Sequence, residues 1–248
     1  MKSRRPRALL LDYGGVLMRT RSRALRVAWD AQLQLPRGSV ERIVHGSEAW
    51  QRCQLGQLNE EDYWQSVARE LQLSPEALPQ FRSDYFAADQ LDRKAISLLR
   101  SLRAQGIPVA LLSNESRSLP ARLAQLGIAD LFSPLLVSSY LGCLKPEPAA
   151  YRAALALMGK PAEVVLFIDD RAENVGAAIS LGMQGVQFQE GKSLSRMIWQ
   201  RFNDADQEPP AGESTVFIGA GCASAAGAKP RARTSAQKRS TFANLISS

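Results

Sequence analysis

The chain has 248 residues, 45% of them hydrophobic, enough for one α/β core with a smaller inserted module. No apolar run reaches the roughly 18–20 residues of a membrane span, and Cys53, Cys143 and Cys222 lack the spacing of a disulfide framework or a zinc site. Much of the net charge of +7 lies at the end, where residues 219–248 hold Lys229, Arg231, Arg233, Lys238 and Arg239 and no acid. That segment is rich in Ala, Gly and Ser, so residues 204–248 read as a disordered, solvated basic tail rather than a nucleic-acid surface.

The basic start, Met1 to Arg7, leads into apolar residues as a signal peptide does. Asp12 interrupts that run and no small-residue cleavage site follows, so the expectation is a cytoplasmic protein. Ala8 to Leu11 form a short apolar run of strand length ending on Asp12, and Gly14-Gly15 then turn the chain. A carboxylate at the C-terminal edge of a parallel strand stands where ligands bind in open α/β sheets.

Helical patterns follow over Ser22–Leu35, Ser39–Cys53, Asn59–Leu73 and Ser74–Phe86, with Asn59 and Ser74 as N-caps. Trp29, Trp50, Tyr63, Trp64, Phe81, Tyr85 and Phe86 recur here and are expected to pack these helices together. Alternation of strand and helix resumes at Gln90. Helices are expected over Leu91–Gln105, Glu115–Leu126, Pro148–Met158, Ala172–Leu181 and Ser193–Phe202. The strands between them are Pro108–Leu112, Leu135–Val137, Val164–Ile168 and Gly185–Phe188. Gly106, Gly127, Gly159 and Gly182 follow four of these helices as stops.

Three later strand ends match the first. Ser113 and Asn114 follow Leu112 at a strand-to-helix turn, where a hydroxyl and free N–H groups suit a phosphate. Lys145 lies in a loop stiffened by Pro146 and Pro148, placed to neutralise phosphate charge. Asp169 and Asp170 end a buried strand as adjacent carboxylates, whose repulsion a cation such as Mg²⁺ would relieve.

The ordered set Leu9–Leu17, Leu111–Asn114, Leu144–Pro148 and Phe167–Asn174 resembles the haloacid dehalogenase-like (HAD) hydrolase superfamily. The helical insert after the first motif is similar to its C1-capped members, closest to small sugar-phosphate phosphatases. The resemblance implies an α/β fold, a Rossmann-like parallel sheet core of residues 1–17 and 88–203 with an inserted helical cap of residues 18–87. The cap would hinge near Leu17–Arg19 and Ala87–Gln90. It also implies Mg²⁺-dependent hydrolysis of a small phosphorylated metabolite. Asp12 would be the nucleophile that carries an aspartyl-phosphate. Asp12, Asp170 and the Gly14 carbonyl would bind the metal, with Asp169 at the edge of its shell. Ser113, the Asn114 backbone and Lys145 would cradle the phosphate.

The sequence departs from that pattern at Gly14, where most phosphatases of the superfamily carry an acid–base aspartate, and at Asn174, where many carry an acid. His45, the sole histidine, and Glu48 and Glu115 are the candidates for the missing proton donor. A substrate with a good leaving group would need the donor less. Asn174 would bond Lys145 or a metal-bound water. Two alternatives stay open: a 2-haloacid dehalogenase, which needs no metal, and a catalytically weak or inactive binding protein of the same fold.

Overall fold

The computed structural model describes residues 5–203; the basic tail expected over 204–248 lies outside the described residues. Strand β1 (Ala8–Leu11) is wholly buried. β2 (Met18–Thr20) follows, then five helices: α1 (Ala24–Gln32), α2 (Ser39–Gly46), α3 (Glu48–Gln54), α4 (Glu60–Glu70) and α5 (Leu78–Phe86). After β3 (Asp89–Leu91) come α6 (Arg93–Ala104), β4 (Val109–Ser113), α7 (Leu119–Gln125), β5 (Leu135–Val137), α8 (Ser138–Leu141) and α9 (Pro148–Met158). The described chain closes with β6 (Val165–Asp169), α10 (Ala172–Ser180), β7 (Gln184–Gln187) and α11 (Leu194–Phe202).

Five strands form a parallel sheet in the order β5-β4-β1-β6-β7. Successive side chains along a strand point to opposite faces. Leu9 and Leu11 therefore enter one core with residues of α6, α7 and α11, while Ala8 and Leu10 enter the other with residues of α9 and α10. Burial on both faces explains the unbroken apolar strands, and each buried leucine contributes about 1.5–3 kcal/mol relative to exposure. The chain leaves β1 toward β4 on one side and reaches β6 on the other, so the order reverses at β1. Such a switch point opens a crevice beyond the strands' C-terminal ends.

The five helices between β2 and β3 have an apolar core of their own, which includes Trp29, Val44, Tyr63, Trp64, Phe81 and Tyr85. The aromatic rings pack these helices together, as expected, in edge-on and tilted pairs; Trp29 and Phe81 lie 5.2 Å apart at 82° and Trp50 and Tyr63 5.1 Å apart at 47°. Several boundaries differ from the sequence reading. The helix expected over Ser39–Cys53 is two helices. Ser47 is extended (φ −77°, ψ 155°), and its hydroxyl accepts from the Trp50 N–H to start α3. Asn59 caps α4 through the Asp62 N–H, as expected. Ser74 begins only a turn, and α5 starts at Leu78 with a proline in its first turn. Residues 115–118 precede α7 as a loop and turn, with the Glu115 N–H donating to the Ser138 hydroxyl. The two passages read as hinges pair with each other as the antiparallel β2–β3 ribbon. An Arg19–Asp92 ion pair and the Thr20–Asp89 hydrogen bond of 2.6 Å hold it. Gly106, Gly127, Gly159 and Gly182 all take left-handed φ, as expected of helix stops.

Candidate active site

Register brings the four strand ends together. Leu11 pairs with Ile168, and the Asp12 N–H donates to the Ile168 carbonyl, so Asp12 stands beside Asp169. Across the other edge of β1, Leu11 pairs with Leu111, which sets Ser113 one step further along β4. The turn after Asp12 demands its second glycine. Gly15 has φ +75°, and a Cβ there would meet the Asp170 carboxylate at 2.4 Å. At Gly14 a Cβ would meet nothing within 4 Å.

Lys145 is buried, and its ammonium lies 2.8 Å from Asp12 Oδ1 and 2.7 Å from Asp169 Oδ2. Asp169 is completely buried and saturated. It accepts from Lys145, from the Arg171 N–H and from the Asn174 amide, which reaches both of its oxygens at 3.0 and 3.1 Å. Asn174 thus bonds Asp169 rather than Lys145, the partner expected from sequence. The Asn114 side chain clamps the lysine loop in both directions. Its Oδ1 accepts from the Lys145 N–H and its Nδ2 donates to the Lys145 carbonyl, each at 2.8 Å. Nothing local in the sequence signals this clamp, because its partners are 31 residues apart, one after β4 and the other beyond β5, which pairs with β4.

One carboxylate oxygen from each of Asp12, Asp169 and Asp170 lies within 4.8 Å of the others. Burial pushes the Asp12 carboxyl up, against the pull of Lys145 and with a push from Asp169. Asp170 rises to about 6, through burial first and then through the charges of Asp12 and Asp169. Lys145 makes its ion pairs with the other two carboxylates, so its pull on Asp170 is outweighed by burial and by the repulsion of Asp12 and Asp169. Three carboxylates against one ammonium leave two negative charges in excess, which fits a divalent cation such as Mg²⁺.

A haloacid dehalogenase-like hydrolase model matches residues 6–182. The chain belongs to this hydrolase family. Among curated relatives of this HAD hydrolase, a drimenol cyclase of Aspergillus calidoustus is 32% identical over 206 residues, which are 79% of this chain and 36% of the cyclase. The chain thus spans about a third of that relative's length. A sesquiterpene phosphatase of Aspergillus oryzae is 26% identical over 73% of this chain and 88% of its own. Among solved structures, a HAD family enzyme from Bacteroides thetaiotaomicron, in complex with magnesium and inorganic phosphate, superposes with a TM-score of 0.64. It covers 77% of this chain and 98% of the other at 20% identity, a likeness of fold.

The hydrolase's carboxylates face a cleft of about 1230 Å³ between the sheet's C-terminal edge and the helical layer, lined by Asp12, Ser113, Asn114, Lys145 and Asp170 together with His45, Trp50 and Phe86. His45 is exposed to the cleft but hemmed by protein, with Trp50 and Tyr85 edge-on to its ring. That desolvation, aided by the Arg26 charge, holds its pKa down to about 4. Glu115 also faces the cleft, pushed up by burial and pulled down by Arg122 at 2.5 Å. Glu48, the third candidate proton donor, is exposed at the start of α3.

The helical layer touches the loops after β4 and β5 directly, which sequence reasoning missed. The Gln54 amide donates to the Asn114 carbonyl, the Ser138 hydroxyl donates to the Gln54 carbonyl, and the Ser116 hydroxyl donates to Glu60. At Gly56 (φ +71°) a Cβ would lie 2.3 Å from the Ser139 carbonyl oxygen, so the helical layer and the core approach here backbone to backbone.

Proposed function

We propose that this hydrolase is a Mg²⁺-dependent phosphatase that releases phosphate from a small phosphorylated metabolite through an aspartyl-phosphate on Asp12. The observation that carries the reading is the buried lysine bridging Asp12 and Asp169, with Asp170 beside them, at an α/β switch point. Lys145 holds Asp12 ionised and aimed, as a nucleophile requires. Ser113, the Asn114 backbone and Lys145 receive the phosphoryl oxygens. Asp12, Asp170 and the Gly14 carbonyl hold the metal, which screens the negative charges of nucleophile and phosphate. Asp169, with both oxygens occupied, serves by orienting Lys145. Residues 18–87 act as the C1-type cap over a core of residues 1–17 and 88–203. They move on the β2–β3 ribbon to admit substrate and exclude water.

Sugar phosphates are the first substrates to assay. The apolar side of the cleft, with Met18, Trp50, Phe86 and Phe188, also fits an isoprenoid chain. The relative named as a sesquiterpene phosphatase places prenyl phosphates in the same screen. The test is hydrolysis of p-nitrophenyl phosphate with and without Mg²⁺. Turnover is expected only with the metal and is lost in Asp12→Asn. Metal-independent halide release from a 2-haloacid would instead mark a dehalogenase, and a folded protein inert to both substrates would mark a binding protein.

A further inference from the structure

An alkyl phosphate needs a proton on its leaving oxygen as the P–O bond breaks, and the residue two places after the nucleophile, Gly14, has none to give. Outside the aspartate cluster, the cleft's carboxyl groups and its imidazole do not replace it, and the Tyr13 phenol, pushed up to about 12 by burial, is too weak an acid. Among the described residues, Glu41 is paired with Arg23 and Arg26, and Asp89 with Arg26 and Thr20. Glu60 is paired with Arg82 and accepts from Ser116, and Glu115 is held by Arg122 at 2.5 Å and by the Ser116 N–H. Glu190 stands exposed in solvent. The only imidazole, His45, is neutral near pH 7 and therefore carries no acidic proton to donate.

We infer that the site is selective for phosphates whose leaving group departs as an anion without a proton from the protein: acyl phosphates and phosphoanhydrides. The inference rests on the phosphatase reading. In the first step an Asp12 oxygen bonds to phosphorus, and the P–O bond to the leaving group breaks with its electron pair on the departing oxygen. In the second step a water oxygen attacks the same phosphorus and the Asp12–phosphorus bond breaks, returning the carboxylate. The water's proton passes to inorganic phosphate and solvent. No carboxylate activates that water, so the second step is slow relative to the first and the aspartyl-phosphate accumulates.

The test is kcat/KM along a series from acetyl phosphate and p-nitrophenyl phosphate through phenyl phosphate to an alkyl phosphate, with pre-steady-state kinetics on the fastest member. A positioned general acid contributes about 10²–10⁴-fold, and a fall of that size toward the poor leaving groups is expected, with a burst of p-nitrophenol. The space at Gly14 admits a longer side chain, so Gly14→Asp should recover the alkyl phosphate and flatten the series. An equal kcat/KM along the series in the unaltered enzyme overturns the inference while leaving the phosphatase intact. If not even p-nitrophenyl phosphate is turned over, the phosphatase reading fails and takes the inference with it.

Discussion

Gly14 and Gly15 are neighbours with opposite tolerances. Gly15 is pinned by its left-handed φ and by the Asp170 carboxylate, 2.4 Å from where a Cβ would stand. Gly15→Ala should push Asp170 out of place and weaken Mg²⁺ binding by about 10–100-fold, the usual cost of disturbing the surroundings of a metal ligand. Isothermal titration of the variant with Mg²⁺ measures this, and unchanged affinity would show that Asp170 is not a ligand. Asp170 also sets a pH dependence. Its folded pKa of about 6 exceeds its ordinary 3.8, so the metal-free fold binds this proton more tightly than the unfolded chain does. The stability this carboxyl contributes is present below pH 3.8 and is lost as pH climbs to about 6. Mg²⁺ competes with the same proton, so the rise in Tm on adding Mg²⁺ should be full at pH 7.5 and fade below about 6. Asp170→Asn should remove both effects; a Mg²⁺ shift as large at pH 5 as at pH 7.5 would contradict the assignment. The residues that bring charge to the site were legible in the sequence, because each ends an apolar run or stiffened loop that declares itself locally. The residues that organise them were not. Asn114 acts through a loop 31 residues away, and Asn174 turns back onto Asp169, five residues before it; asparagine near a helix start reads first as a cap.

The elements divide by how their shape is paid for. β1, β4 and β6 were readable because burial on both faces demands continuous apolar sequence, and the stop glycines were readable because a left-handed φ selects for them. β2 and β3 were not. Three-residue β5 is betrayed by its apolar run, whereas β2 and β3 are only partly buried and polar, and each becomes a strand because the other lies beside it. The break at Ser47 was hidden for the same kind of reason, since apolar residues continue at helical spacing on both sides while the serine turns the chain. The contact of α3 with the core through Gln54 and Gly56 depends on a backbone approach that leaves no room for a methyl group. Gly56→Ala should cost about 1–3 kcal/mol in urea denaturation, as overpacking does. It should also raise KM more than it lowers kcat, since the reacting groups are untouched while the helical layer loses its footing. An unchanged KM would place the α3 contact outside substrate binding.

At the scale of the molecule, an α/β switch point gathers the carboxylates and one lysine, and a helical layer with its own aromatic core roofs them to make a cleft. The alternation of strands and helices announced the α/β core from sequence, and the family match covers residues 6–182. Which metabolite the cleft admits was not legible, because its walls combine side chains from α2, α3, α5 and four strand ends whose convergence is tertiary. The account turns on whether Asp12 carries the phosphoryl group. The direct measurement is peptide mass spectrometry of the enzyme, acid-quenched during turnover of p-nitrophenyl phosphate with Mg²⁺. A single phosphoryl group on the peptide containing Asp12, absent without Mg²⁺, is the predicted result. Turnover with that peptide unmodified, or with the phosphoryl group on another residue, would contradict it.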